Sequence, residues 1–380
     1  MSDQSATTQA TPTPAPDPRL DALALACVKG VGPVAFRNRI DECGGPSAAL
    51  ESRGSTAAHS AARARAQVML DTCERIGVDV IVSPESRYPA RLRNLEDAPS
   101  VLFALGSLET AHGPTVALVG ARRATAYGRR VAERLAVALA MDGVCVVSGL
   151  AAGIDAESHA GALRANGRTV AIMGTGVDVP YPRTNSALHA DIARRGLVLS
   201  ELPPGRAAHP GAFPRRNRLI AALADVVVVV EAGVKSGSLI TAQAGFALGR
   251  IIGAVPGPVD VDSSLGANIL LRDGAHVITS PDDVLALLAL SPRASNDASG
   301  ATRTVVTAHP SSDAAPPSSS EGRLLEILAH GPQLADDLVR AAGLSPREVG
   351  SAIATLSLAG AVEMDASGLV RRNNWRGNAR

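Results

Sequence analysis

The chain has 380 residues, 37 Lys and Arg against 36 Asp and Glu, a formal net charge of +1 and 46% hydrophobic residues. That length holds about two or three domains with a real core, and a balanced charge means that any polyanion site must come from local clustering. No apolar run approaches a membrane span and no apolar signal core opens the chain, so a cytoplasmic protein with no membrane partner is expected.

Only Lys29 and Lys235 are lysines, so nearly every cation is an arginine, suited to planar, bidentate recognition of phosphate. Cys27, Cys43, Cys73 and Cys145 share no short spacing, which excludes a zinc ribbon and any disulfide framework. The histidines have no partners at metal-ligand spacing, so neither a metal nor a cofactor is indicated.

Residues 1–18 are rich in Ser, Thr, Pro, Gln and Ala and read as a disordered tail. Residues 19–83 read as a helical domain, with Leu20, Leu23, Ala24 and Cys27 on one face of its first helix. Lys29-Gly30-Val31-Gly32-Pro33 then breaks the pattern. Helix, Gly-Val-Gly, helix is the layout of a helix–hairpin–helix, SAM-like unit, whose glycines let phosphate approach; a plain helical-hairpin turn reads the same way.

From 84 to 290 the pattern alternates. Strand candidates are Val116–Val119, Val144–Val147, Thr169–Met173, Leu197–Leu199, Val226–Val230 and Ile251–Val255, separated by helical stretches of which Tyr127–Met141 is the clearest. Repeated βα units predict an α/β fold, an extended Rossmann-like, doubly wound parallel sheet with ligands outside the carboxyl ends of its strands. Residues 291–319, rich in Ser, Ala, Pro, Thr and Asp, read as a flexible linker. Residues 320–375 read as a C-terminal winged-helix domain. Its helices cover 321–328, 333–341 and one opened by Ser345-Pro346-Arg347-Glu348; the hairpin pairs 361–364 with 369–371 across Ser367-Gly368.

Four small-residue turns fall at strand ends: Gly120-Ala121-Arg122, Ser148-Gly149-Leu150, Gly174-Thr175-Gly176 and Ser236-Gly237-Ser238. None is a dinucleotide fingerprint or a Walker loop. Each leads into a helix, so amides and dipole ends face one crevice. Upstream of the Val226–Val230 run lie Arg206, Arg215, Arg216, Asn217 and Arg218, with no carboxylate between Glu201 and Asp225. Phe213 sits in this basic, Gly/Pro-flanked stretch as a ring for stacking on an unpaired base or as a loop anchor packed into the core. Glu201 and Glu231, at strand ends, read as positioning carboxylates. Ser148, Asp155 and His159 stand in the order of a hydrolase triad, but Val146-Val147 precede the serine and no nucleophile elbow forms. No catalytic residue is assigned.

These motifs together resemble the DprA/Smf family, the DNA-processing proteins of bacterial natural transformation. The resemblance rests on Gly120-Ala121-Arg122, Ser148-Gly149-Leu150-Ala151 with Gly153-Ile154-Asp155, Tyr181-Pro182 and Ser200-Glu201-Leu202-Pro203. Most specific are Phe213-Pro214-Arg215-Arg216-Asn217-Arg218 and the Ser236–Ala242 run. The resemblance implies a non-enzymatic protein that binds single-stranded DNA, self-associates as a homodimer and helps load the RecA recombinase. By motif match it puts the phosphate-contacting arginine on Arg122, the basic position after Tyr-Pro on Arg183 and the base-contacting aromatic on Phe213. Ala121 departs from the Ser or Thr usual before that arginine. Gly120, Ser148, Gly149, Arg216, Asn217, Arg218, Ser236, Gly237 and Ser238 complete the expected DNA site. Two other readings stand beside it. One is a nucleotide-binding or nucleotide-hydrolysing enzyme on a related Rossmann-like fold, although the Pro-Gly-Gly-x-Gly-Thr run of such enzymes is missing. The other is an interaction adaptor working through the winged helix.

Overall fold

The computed structural model describes residues 18–52, 54–291, 320–329, 331–358, 361–364 and 369–372. The expected tail before residue 18, the linker from 292 to 319 and the Ser367-Gly368 turn lie outside the described residues. The chain forms two compact units divided near residue 301.

Four helices come first: α1 (Pro18–Ala26), α2 (Pro33–Cys43), α3 (Pro46–Glu51) and α4 (Thr56–Arg75). Proline opens α2 and α3, where its missing amide costs nothing, and Ser55 caps α4 by accepting from the Ala58 amide. The helical pattern expected up to Val82 stops short. Asp79–Val82 is a strand, β1, antiparallel to β2 (Val101–Gly106). Val80, Ile81 and Val82 are β-branched and too few for a helical stripe, and all three are buried. The short α5 (Ala90–Arg93) lies between these strands.

The βα units then follow in order: β3 (Thr115–Gly120), α6 (Ala126–Met141), β4 (Cys145–Ser148), α7 (Ile154–Arg164), β5 (Thr169–Ile172), α8 (Ser186–Arg195) and β6 (Leu197–Ser200). After these come α9 (Ala212–Leu223), β7 (Val226–Glu231), α10 (Ser238–Ala247), β8 (Ile251–Ala254), α11 (Asp262–Arg272), β9 (His276–Val277) and α12 (Pro281–Leu290). All six strands expected from the valine-rich runs form, within about two residues of the expected ends. They join one nine-stranded sheet in the order β1-β2-β6-β5-β4-β3-β7-β8-β9, parallel from β6 to β9 with β1 and β2 antiparallel at one edge.

Strand alternation divides the core into two layers. Val116, Leu118, Val226, Val228 and Val230 pack on the face covered by α6 and α12. Ala117, Val119, Val227 and Val229 pack on the opposite face with Leu219, Ile220 and Ala242 from α9 and α10. Phe36, Leu23 and Ala62 of the first helices share a third cluster with Phe103 of β2 and Val198 of β6. The helical segment is therefore built onto the antiparallel edge. No helix among the described residues is long and apolar enough to cross a membrane.

The second unit contains α13 (Ser320–Leu328), β10 (Gln333–Leu334), α14 (Ala335–Ala342), α15 (Pro346–Leu358), β11 (Val362–Met364) and β12 (Leu369–Arg372). The helix expected from Gln333 begins two residues later, because Gln333 and Leu334 pair with β12. Ser345 and Glu348 form the expected reciprocal cap at α15: Glu348 Oε2 accepts from the Ser345 amide at 2.8 Å and Ser345 Oγ from the Glu348 amide. Leu324, Leu338, Val349, Ile353 and Val370 fill the core of this winged-helix unit.

Candidate nucleic-acid interface

Strand β3 has β4 on one side and β7 on the other, so the chain's direction of winding reverses between β3 and β7. In an open α/β sheet that reversal leaves a crevice outside the carboxyl ends of the strands. Here it is a cleft of about 870 Å³ lined by Gly120, Arg122, Arg123, Asp155, Phe213, Arg216, Asn217, Lys235, Ser236, Gly237, Ser238 and Asp262, among others. Segments after β3, β4 and β7 and the start of α9 converge on one opening, whereas the Gly174-Thr175-Gly176 turn is absent from the lining.

The turn after β3 is held from beneath. Glu231, 3% exposed at the end of β7, accepts from the Thr125 amide at 3.1 Å and from Thr125 Oγ1 at 2.6 Å. Thr125 in turn caps α6 by accepting from the Gly128 amide. A buried carboxylate thus shapes the loop that carries Arg122 and Arg123, and both arginines remain exposed. The turn after β4 is equally constrained. Gly153 has φ +82°, and a Cβ there would lie 2.3 Å from the Ala121 carbonyl oxygen, so the two loops touch through bare backbone.

Phe213 is not in a loop. It is the second residue of α9, half-buried, with its ring centroid 5.1 Å from that of Tyr181 and the planes inclined by 35°. Arg122 Cζ stands 5.2 Å from the Phe213 centroid, within cation–π range. The aromatic pair was missed in the sequence, where Tyr181 and Phe213 lie in separate motifs; the Tyr-Pro dipeptide was the only signal.

The helical state of α9 explains which arginines reach the cleft. Residues 213, 216, 217 and 220 share a face, whereas 215 and 218 turn away from it. Arg218, expected beside the anion site, is ion-paired instead with Glu201 at 2.7 Å and Asp97 at 3.0 Å, and is absent from the cleft lining. Arg215 also meets Glu201, at 3.0 Å. Burial pushes the Glu201 carboxyl upward and the two arginines oppose that shift. The positioning role read for Glu201 therefore has a physical object.

Arg216 does reach the cleft, but as its floor. It is 4% exposed, and Nη1 donates to the Gly149 carbonyl at 2.7 Å and to the Ile172 carbonyl. Nε donates to Asn217 Oδ1 at 3.2 Å, and Asn217 Nδ2 donates to the Gly237 carbonyl at 3.1 Å. One chain of hydrogen bonds therefore links the ends of β4 and β5 to the start of α10. Burial lowers the Arg216 guanidinium to about 10, with Asp155 opposing the shift and Arg122 adding to it. Gly149 is required above it, since a Cβ would lie 2.6 Å from the guanidinium.

Ser148 is fully buried and donates to the Leu118 carbonyl at 2.6 Å, so its hydroxyl faces the sheet core and not the cleft as expected. His159 Nδ1 meets Thr169 Oγ1 at 2.7 Å, and burial lowers the ring to about 3. Burial raises the Asp155 carboxyl. Arg216, the Ala151 and Gly149 amides and the Ser148 hydroxyl oppose that shift, while His159 is bound to Thr169, so no triad forms. Ser236 and Ser238 pair through their hydroxyls at 2.7 Å beside the cleft, where Gly237 precedes α10 without a side-chain cap. Arg183 is exposed in a single 3₁₀ turn, Arg183–Asn185, two residues after Tyr181, and is not among the lining residues.

Of the cations in the lining, Arg122, Arg123 and Lys235 have no carboxylate partner among the described residues. Away from it Arg63, Arg87, Arg164, Arg194 and Arg218 are all ion-paired. No cluster of His, Cys, Asp or Glu suited to a metal occurs among the described residues.

Unpaired arginines, an aromatic pair and uncapped helix starts thus meet at the switch point of a doubly wound sheet, on a Rossmann-like framework. Residues 79–289 match the family described as DNA recombination-mediator protein A, and residues 308–368 match the DprA winged helix domain. The chain belongs to this DprA/Smf family. It is 36% identical over 374 residues to a putative DNA processing protein DprA of Mycobacterium tuberculosis, covering 93% of this chain and 90% of the relative. The X-ray structure of DNA processing protein A from Streptococcus pneumoniae superposes with a TM-score of 0.61 at 32% identity, over 70% of this chain and 95% of that one. A structure of DNA processing protein A from Helicobacter pylori, described for its single-stranded DNA binding mode, gives 0.51 at 30% identity, over 56% and 95%.

Proposed function

We propose that this protein grips single-stranded DNA in the switch-point cleft and acts in DNA processing during uptake and recombination, without catalysing a reaction. The observation that carries this reading is Arg122 standing over the half-exposed Phe213 ring, at the mouth of a cleft whose other exposed cations lack carboxylate partners. A π face tolerates any base, and unpaired arginines answer a phosphate backbone. The Helicobacter pylori relative, a single-stranded DNA binder by description, supports the same assignment. Gly120, Asn217, Ser236, Gly237 and Ser238 supply backbone and hydroxyl contacts around the strand, and Arg183 lies on the approach beside Tyr181. In line with the family, the bound strand is passed to the RecA recombinase, and the working form is a cytoplasmic homodimer.

The test is fluorescence anisotropy with labelled oligothymidine across a salt series, with duplex of equal length as competitor. Preference for the single strand and affinity falling steeply with salt are expected. Failure to bind at low salt, or equal competition by duplex, removes the reading.

A further inference from the structure

The loop carrying Arg123, which lines the cleft, leads straight into α6, which packs alongside the sheet. Tyr127, Arg130 and Arg134 stand at i, i+3 and i+7 on this helix, hence along one face. All three are exposed, Tyr127 at 43%. The tyrosine hydroxyl donates to the Pro256 carbonyl at 3.2 Å, which fixes the ring against the segment after β8 and leaves part of it bare. Arg130 makes no ion pair among the described residues. Arg134 donates only to the Thr279 carbonyl, at 3.0 Å, so its charge is uncompensated.

The two carboxylates on the α7 side are paired with other arginines, Glu133 with Arg164 at 2.7 Å and Glu157 with Arg129 at 3.3 Å. Asp283 accepts from the Thr279 and Ser280 amides at the start of α12. The result is an aromatic ring followed by two free cations, continuous with Arg123 in the cleft. Arg130 and Arg134 stand one helical turn apart, with about 5–6 Å between their Cβ atoms, a separation suited to neighbouring phosphates of one strand.

We infer that the Tyr127–Arg130–Arg134 face of α6 is a second contact surface for single-stranded DNA, which takes the strand as it leaves the cleft. This rests on the cleft being the primary site. Tyr127 stacks a base at the exit, and the two arginines hold the phosphates that follow.

The experiment compares oligothymidines of about six and about sixteen nucleotides, lengths within the range of one binding groove, on wild type, Arg130→Ala, Arg130→Ala/Arg134→Gln and Tyr127→Leu. Wild type should prefer the longer oligomer. The double variant should bind it about tenfold more weakly with a salt slope shallower by about 1.4, since each phosphate contact contributes about 0.7. Its affinity for the short oligomer should stay unchanged, and Arg130→Lys should bind like wild type. Arg130 makes no contact whose loss would unfold the helix, so the single variant guards against a folding artefact. Unchanged binding of the long oligomer overturns the inference, as does equal loss for both lengths. If wild type binds neither length, the cleft itself fails as a DNA site, and that result is distinct from the other two.

Discussion

Arg122 and Phe213, 91 positions apart, meet with the guanidinium carbon 5.2 Å from the ring centroid. Each restrains the other, and both face the cleft. A cation parked on a ring that is itself poised to stack divides the labour between charge and surface. Arg122→Ala should therefore weaken binding to every sequence and reduce the salt slope by about one contact. Phe213→Ala should cost about 1–3 kcal/mol and leave the slope nearly intact, while Phe213→Trp retains binding. Titrations at three salt concentrations separate the two; a slope change in Phe213→Ala would contradict the division.

Arg216 is expected to behave differently from Arg122 although both line the cleft. Replacing it with Met leaves the Gly149 and Ile172 carbonyls without their donor and Asp155 without its neighbouring cation. Unmet buried acceptors cost about 1–3 kcal/mol each. Urea denaturation should thus show a loss of about 3 kcal/mol or more. Residual DNA binding in the folded fraction should be weaker with an unchanged salt slope, because a support for the loops has gone and not a phosphate contact. A slope reduced by one contact would return Arg216 to the phosphate-binding set.

Much of this was legible in the sequence, for reasons that can be named. Five valines in a row can only be a strand buried on both faces, and turns after such strands have to share one sheet edge. What escaped was orientation. Arg216 and Arg218 look equivalent in a basic run, and only the helical state of residues 212–223 turns one beneath the cleft and the other toward Glu201. Ser148 ends a central strand buried on both faces, so its hydroxyl was lost to the Leu118 carbonyl of the neighbouring strand. The antiparallel edge was missed because β1 and β2 carry no βα rhythm to announce them.

Arg218 gives a third expectation. Its partner Glu201 is largely buried, and removing Arg218 leaves that carboxylate only the more exposed Arg215, so much of its charge goes unmatched. Arg218→Ala should lower unfolding free energy by about 3 kcal/mol, with DNA affinity per folded molecule unchanged. Adding Glu201→Gln should restore part of the loss by removing the stranded charge. A large fall in affinity at full stability would mean that Arg218 leaves its carboxylates to meet the strand.

His159 predicts how stability responds to acid. Burial holds its folded value at about 3, against about 6.5 for an exposed imidazole. Between those values the unfolded chain takes up a proton that the folded protein refuses, so stability falls as pH drops through about 6.5 and keeps falling toward 3. The slope approaches about 1.4 kcal/mol per pH unit. Asp155 and Glu201, with values raised by burial, act in the opposite sense: each favours the folded state at low pH and loses that contribution as pH rises above the normal carboxylate range. Those contributions, and that of His189, which burial also lowers, overlap the same pH window, so substitution of the ring itself is what isolates His159. His159→Leu should flatten the dependence of the urea midpoint between pH 5 and 7 without altering DNA affinity at neutral pH. An unchanged pH profile would show that the ring is not the group refusing the proton, and lost affinity would give His159 a role at the cleft that its bond to Thr169 does not suggest.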